Sequence, residues 1–168
     1  VVVDMTLVPG QGHEPAYLFV QVADMSDRKR AEEALTHQAL HDDLTGLPNR
    51  LLLADRLGRS LVRAGRGDTE VAVLFLDLDR FKLVNDTAGH IAGDNVLREI
   101  SALLQQRVRD SDTVARVGGD EFAMLLAGCP IDKAQQIADD VCQSVAAQQF
   151  SWQDHSFDVG VSVGLVEV

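Results

Sequence analysis

Six consecutive apolar residues, Val71-Ala72-Val73-Leu74-Phe75-Leu76, end abruptly at Asp77-Leu78-Asp79. The run is too short for an independent helix and rich in strand formers, so it predicts a fully buried central strand whose polar chemistry begins where burial ends. With 168 residues, 46% of them hydrophobic and 24% charged, the chain has the material for one ordinary domain plus an appendage, and disorder as its main state is excluded.

A second constraint comes from Gly118-Gly119-Asp120-Glu121, which sits between the strand-like segments Thr113–Val117 and Phe122–Leu126. Glycine accepts the positive backbone angles of tight turns, so this stretch predicts a hairpin with a polar tip. If the hairpin pairs beside the first strand, Asp77 and Asp79 converge with Asp120 and Glu121 on one edge of the sheet. Carboxylates brought that close repel, and the repulsion is relieved by protons or by a bound cation. Hard oxygen ligands with open positions suit Mg²⁺ or Mn²⁺, joining a few carboxylates to the phosphates of a nucleoside triphosphate. The plain alternative is that acids at strand ends and turns are solvated, and Asp79 alone is read that way. An EF-hand reading of Asp77-x-Asp79 fails because Phe81 occupies the next ligand place, and there is no Walker A lysine loop.

Phe81-Lys82-x-x-Asn85-Asp86-x-x-Gly89-His90-x-x-Gly93-Asp94 gathers a cation, an amide, an imidazole and a carboxylate among glycines that permit close backbone approach. Lys82 suits phosphate as a point charge, and Asn85 with Asp94 suits the donor and acceptor edge of guanine. Singly each has a plain reading as well: Asn85 as a turn residue, Asp94 as a helix cap, His90 as a packed loop histidine.

Around these stretches the order is helix (Leu51 to Val62), strand, helix after Gly93 (Val96 to Val108), two strands, helix with Asp132 as N-cap, and a last strand pair near Phe150–Trp152 and Phe157–Val166. Upstream, residues 1–23 read as two strands broken at Pro9-Gly10-Gln11-Gly12. Ser26 to about Leu40 reads as a helix capped by Ser26, with a narrow stripe of Ala31, Ala34, Leu35 and Ala39. That stripe fits a short seam between two copies or an ordinary docked linker helix.

The net charge of -11 disfavours nucleic acid and anionic lipid, so a polyanionic ligand needs metal ions or placed cations. No apolar run approaches the roughly 18–20 residues that span a bilayer, and no basic n-region precedes an h-region, which predicts a soluble, cytoplasmic segment. Cys129 and Cys142 lack metal-ligand spacing and read as free thiols.

Gly118-Gly119-Asp120-Glu121-Phe122, with Asp42-x-Leu44-Thr45-Gly46-Leu47-Pro48-Asn49-Arg50 before it in the right order and spacing, resembles the GGDEF family of diguanylate cyclases from about Asp42 to Val168. The resemblance implies an α+β fold with a central antiparallel sheet flanked by helices, like the palm of nucleotide cyclases and polymerases. It implies condensation of two GTP molecules to cyclic di-GMP and two pyrophosphates in a homodimer, each half holding one GTP. Position by position it makes Asp77, Asp120, Glu121 and the backbone carbonyl of Leu78 metal ligands. It assigns guanine to Asn85 and Asp94, nucleotide support to His90, phosphate to Lys82, and room over the nucleotide to Gly118 and Gly119. Asp120 is also the proton acceptor proposed in the family for the ribose 3′-hydroxyl, although a metal-bound carboxylate is a poor base and its ligand role ranks higher. Arg109 with Asp112 matches the family's inhibitory Arg-x-x-Asp, five residues before the signature, and implies feedback by the product.

Residues 1–25 resemble the last strands of a PAS sensor domain, and residues 26–41 its exit into a signalling helix. Residues 42–168 then form the GGDEF domain. The family pattern continues past Gly160-x-Ser162-x-Gly164 into a further helix and strand, so the domain reads as C-terminally truncated, with a downstream cyclic di-GMP phosphodiesterase domain as one continuation. The alternative function is a catalytically weak domain that binds GTP or cyclic di-GMP to regulate a neighbour.

Overall fold

The computed structural model describes residues 2–8, 17–24, 26–65 and 70–168. The chain divides into two compact units, Val1–Ala39 and Leu40–Val168.

In the first unit, β1 (Val2–Val8) and β2 (Tyr17–Ala23) form an antiparallel ribbon in which Met5 faces Val20 and Leu7 faces Leu18. Its expected break at Pro9–Gly12 lies outside the described residues. The helix α1 (Ser26–Leu40) has the expected span, and Ala31, Ala34, Leu35 and Ala39 are all exposed. Its cap differs from expectation. Ser26 is already helical, and its N–H donates to Asp24 Oδ1 at 2.9 Å. A carboxylate offers a charged acceptor to the positive end of the helix, which a serine hydroxyl does not.

The second unit begins with a tight turn whose hydrogen bonds run from Gly46 N to the Asp42 carbonyl and from Asp42 N to the Leu47 carbonyl, both 2.8 Å. Asn49 then caps α2 (Arg50–Ala64) by accepting from the N–H groups of Leu51 and Leu52. The elements that follow are β3 (Val71–Asp79), α3 (Phe81–Ala88), α4 (His90–Gln105), β4 (Thr113–Gly118), β5 (Glu121–Ala127), α5 (Ile131–Ala147), β6 (Phe150–Trp152), β7 (His155–Phe157) and β8 (Gly160–Glu167). The central sheet has the order β4-β5-β3-β8, antiparallel throughout, and β6 and β7 form a separate small hairpin.

Strand alternation sorts the core onto two faces. Ala72, Leu74, Leu76, Leu78, Phe122, Met124 and Leu126 pack with Val84, Val96, Ile100, Leu104, Val141 and Val145 from α3, α4 and α5. Val71, Val73, Ala115, Ala123 and Leu125 pack with Leu53 and Leu57 of α2. Helices therefore cover both faces, as the sequence implied.

Four local readings are corrected. β3 is not fully buried: Phe75 is 53% exposed, and Asp77 and Asp79 follow it on the same open face. Asn85 is not a turn residue and His90 not a loop histidine: Asn85 lies in α3, and the helix expected after Gly93 already begins at His90 as α4, with Asp94 inside it. Phe81 and Val84 anchor α3, Arg80 turns the chain at φ 63°, and Gly89 separates the helices at φ 82°. The polar Asn85-Asp86-Thr87 and the glycines hid α3 and the first turn of α4, because such residues favour turns until tertiary packing overrides them. Asp132 is not the cap of α5, since Pro130 holds that position and starts the helix with its preset φ. The last strand pair is three strands, and the long one, β8, crosses to pair with β3.

Candidate functional site

The outer face of β3 changes character along its length. Val71 and Val73 lie under α2, whereas Phe75, Asp77 and Asp79 lie beyond its cover. In register on either side of Asp77 are Glu121 of β5 and Ser162 of β8, and residues directly opposite in a sheet point to the same face. Phe75, Asp77, Val117, Glu121, Ser162 and Gly164 line a cleft of about 510 Å³. The hairpin tip closes onto β3 through its backbone: Leu78 N donates to the Asp120 carbonyl at 3.3 Å. Of the four acids expected on this edge, Asp77 and Glu121 stand opposite each other, Asp120 is joined to Leu78 through its backbone carbonyl, and Asp79 stands opposite Gly160. Cross-strand like charges lie about 5 Å apart at Cβ and destabilise each other. Among the described residues, the three carboxylates receive no hydrogen bond or ion pair, which leaves their oxygens available.

This donor set suits Mg²⁺ chemically. It offers hard oxygens, few in number, on an open face, as fits an ion that keeps waters and shares its shell with substrate phosphates. Among the described residues no three His, Cys, Asp or Glu side chains form a cage that would hold a metal ion by themselves.

Gly118 and Gly119 are exposed at the tip, with Gly119 at φ 54°. Sequence reasoning missed what fixes them. Arg116, on β4, donates from Nε and Nη2 to the Gly119 carbonyl (3.0 and 2.7 Å) and from Nη1 to both carboxylate oxygens of Asp42 (3.0 and 3.1 Å). Asp42 also accepts from the N–H and hydroxyl of Thr45 (2.9 and 2.7 Å). Partial burial works to raise the Asp42 carboxyl, but the hydrogen bonds from Thr45 and Arg116 outweigh it and hold the group below the usual carboxylate range. The opening motif and the signature are therefore one structural unit. The sequence signal was an arginine two residues before the glycine pair.

The four residues expected to meet a nucleotide lie on the α3–α4 pair. Lys82 and Asn85 share a face of α3, and His90 and Asp94 share a face of α4, by their three- and four-residue spacings. Asn85 lies directly over Gly93, where an added Cβ would overlap its Oδ1 and come within 3.1 Å of the Phe81 ring. Gly93 therefore lets Asn85 settle against the backbone of α4. Lys82 and His90 are exposed, and Asn85 and Asp94 are half-buried.

Arg109 and Asp112 lie at the other end of β4 from the tip and line a second cleft of about 330 Å³ with Arg56. Their pairing is backbone-mediated: Arg109 N donates to Asp112 Oδ2 and Asp112 N donates to the Arg109 carbonyl, each at 3.0 Å. Asp112 Oδ1 accepts from Ala127 N at 3.2 Å. The two cysteines are free, and burial pushes both thiols up.

The family model described as "Diguanylate cyclase, GGDEF domain" matches residues 39–168. The chain is 50% identical over 115 residues to diguanylate cyclase TpbB of Pseudomonas aeruginosa, covering 68% of this chain and 26% of that protein. It is 42% identical over 136 residues to the bifunctional diguanylate cyclase/cyclic di-GMP phosphodiesterase MucR of the same organism, covering 81% of this chain and 20% of that one. The chain thus spans about a quarter or less of the length of these relatives. The crystal structure of the coiled coil and GGDEF domain of DgcB from Caulobacter crescentus in complex with c-di-GMP superposes with a TM-score of 0.80 at 28% identity, covering 86% of this chain and 77% of that one.

Proposed function

Because the chain belongs to the GGDEF domain family of diguanylate cyclases, we propose that it condenses two GTP molecules to cyclic di-GMP and two pyrophosphates as a homodimer dependent on Mg²⁺ or Mn²⁺. The observation that carries this reading is the register of Asp77 opposite Glu121, with Leu78 N on the Asp120 carbonyl. Asp77, Asp120, Glu121 and the Leu78 carbonyl would hold the cation. When bound, the ion lowers the pKa of the attacking ribose 3′-hydroxyl and shields the triphosphate charge.

Asn85 and Asp94 orient guanine through its donor and acceptor edge, and His90 supports the nucleotide from the face that Asp94 shares. Lys82 meets phosphate, and Gly118 and Gly119 clear the space above it. The Arg116 fork keeps the tip backbone in place while the acids of the tip stay unpartnered among the described residues. Each copy brings one GTP, so turnover requires two sites face to face. Each 3′-hydroxyl displaces pyrophosphate from the other nucleotide, and Asp120 is placed to accept a proton secondarily to its ligand role.

Arg109 and Asp112 bind the product as a brake. The first unit is the tail of a PAS-like sensor whose α1 passes the signal to the cyclase. The protein works in the cytoplasm, and no helix among the described residues is long and apolar enough to cross a membrane.

The likeness to the bifunctional relative supports a second reading, in which the domain binds GTP or cyclic di-GMP and regulates a neighbouring phosphodiesterase domain. Incubation of the natural full-length protein with GTP and Mg²⁺, with cyclic di-GMP measured chromatographically, separates the two. Formation of the product supports the first. Uptake of GTP without product, accompanied by a change in a neighbour's activity, supports the second.

A further inference from the structure

Asp79 shares the open face of β3 with Asp77, two residues away, yet its surroundings differ. Its Oδ1 accepts a 2.8 Å hydrogen bond from Ser162 Oγ. Its partner in register is Gly160, where an added Cβ would lie 2.8 Å from Asp79 Oδ2 and 3.4 Å from the Asp79 Cβ. Only a residue without a side chain lets this carboxylate lie down against β8. Ser162 itself stands directly opposite Asp77 and spends its single proton on Asp79. The result is two aspartates on one strand face with opposite fates: Asp79 is tied to β8 on one oxygen and pressed over Gly160 on the other, and Asp77 is unpartnered among the described residues. The Gly160-x-Ser162-x-Gly164 pattern gains a physical meaning from this. Gly160 receives Asp79, Ser162 fastens it, and Gly164, opposite Phe75, leaves the cleft open.

We propose that Ser162 is a positioning and specificity-determining residue that ties Asp79 back from the cation shell, leaving Asp77, Asp120 and Glu121 as the carboxylates offered to the ion. This rests on the cation reading of the site given above. The number of charged ligands and the flexibility of a site decide between the two hard divalent ions. Mg²⁺ is served by a few carboxylates, waters and substrate phosphates, whereas an additional mobile carboxylate suits the larger shell of Ca²⁺. Released from Ser162, Asp79 becomes that additional ligand.

The test is a calorimetric titration of the whole chain with GTP at rising Mg²⁺ or Ca²⁺, which reads nucleotide uptake without turnover. Ser162→Ala is expected to lower the Ca²⁺ concentration needed for half-maximal uptake on the order of tenfold, because an opposite charge brought within ~4–6 Å moves an equilibrium by a unit or more. The Mg²⁺ requirement should move less. Gly160→Ala, which pushes Asp79 off β8 while keeping the hydroxyl, should shift Ca²⁺ in the same direction. Ser162→Thr should behave as the natural protein, and adding Asp79→Asn to Ser162→Ala should cancel the shift. Thermal unfolding of each variant serves as the check on folding. A natural protein with divalent-dependent uptake and a Ser162→Ala variant with the same Mg²⁺ and Ca²⁺ dependence would overturn the proposal alone. Uptake by the natural protein that ignores divalent ions altogether would overturn both it and the cation reading beneath it.

Discussion

The two ends of β4 carry acidic turns that look alike in sequence and differ in what their carboxylates do. At the start of the strand, Asp112 accepts hydrogen bonds from Arg109 N and Ala127 N and so holds a loop to the end of β5, with acceptor capacity left on its carboxylate for a ligand. At the far end, the carboxylates of Asp120 and Glu121 receive no hydrogen bond among the described residues, and the tip is held by its backbone, through Arg116 on the Gly119 carbonyl and Leu78 N on the Asp120 carbonyl. A carboxylate bonded by buried or partly buried N–H groups stabilises the fold. One whose neighbours are other carboxylates works against the fold unless a cation arrives. The difference separates an acid that braces from an acid positioned to bind.

The largest effect expected from this contrast is at the tip. Asp120→Asn should slow cyclic di-GMP formation by about a hundredfold or more, because a metal ligand supplies several kcal/mol of transition-state stabilisation and each 1.36 kcal/mol is tenfold in rate. The unfolding free energy should change by less than about 0.5 kcal/mol, as for a surface position without partners. Product assay and urea unfolding on the same preparation check both halves, and full activity in the variant would remove Asp120 from the site.

The reverse holds at the other end. Asp112→Ala removes the acceptor of two backbone N–H groups and should cost about 2–3 kcal/mol of stability, since hydrogen bonds to charged groups contribute roughly 1.5–3 kcal/mol each. Urea unfolding measures this directly. A loss as small as that of Asp120→Asn would break the distinction drawn between the two turns.

The acidic tip was readable in the sequence, the brace at the other end was not, and what could not be read has a common cause. The meeting of Asp77 with Glu121 followed from an apolar run, a glycine turn and the two-residue period of strands, all short-range signals. The helix α3 and the first turn of α4 did not follow, because Asn85-Asp86-Thr87 and Gly89 speak for turns and only the burial of Phe81 and Val84 overrules them. The bonds from Arg116 to Asp42, from Arg56 to Thr113 and from Ser162 to Asp79 span 74, 57 and 83 residues of chain. No local periodicity encodes a pairing that the sheet register creates. The brace role of Asp112 was hidden for the same reason: its partner Ala127 enters only when β5 folds back.

A smaller effect, with a pH signature, is expected at the link between the opening turn and the tip. Asp42→Asn leaves the Thr45 contacts possible but removes the charge facing Arg116, at a cost of about 1–2 kcal/mol. The Asp42 carboxyl is held below the usual range in the folded chain. Its contribution is therefore complete above the unfolded value of about 3.9 and is lost as pH falls through the lower folded value. Urea unfolding of both proteins at neutral pH and at steps below pH 4 should show the gap closing only in acid. A gap that is constant across that range would mean that the charge of Asp42 contributes nothing.

The smallest effect on the protein itself is expected at Arg109, and it sharpens the comparison most. Unlike Asp112, which lends its side chain to the loop, Arg109 contributes to that loop through its backbone N–H and carbonyl, which any residue supplies. Arg109→Ala should thus leave stability within about 0.5 kcal/mol of the natural protein. What it removes is a planar, bidentate cation from the rim of the second cleft, the group best suited to a phosphate or to the guanine edge. The initial rate of cyclic di-GMP formation should be nearly unchanged, while inhibition by added product is relieved. Progress curves at several starting product concentrations read both quantities at once. If inhibition persists unaltered, the second cleft is not the brake, and the acidic turn at that end of β4 is a brace and nothing more.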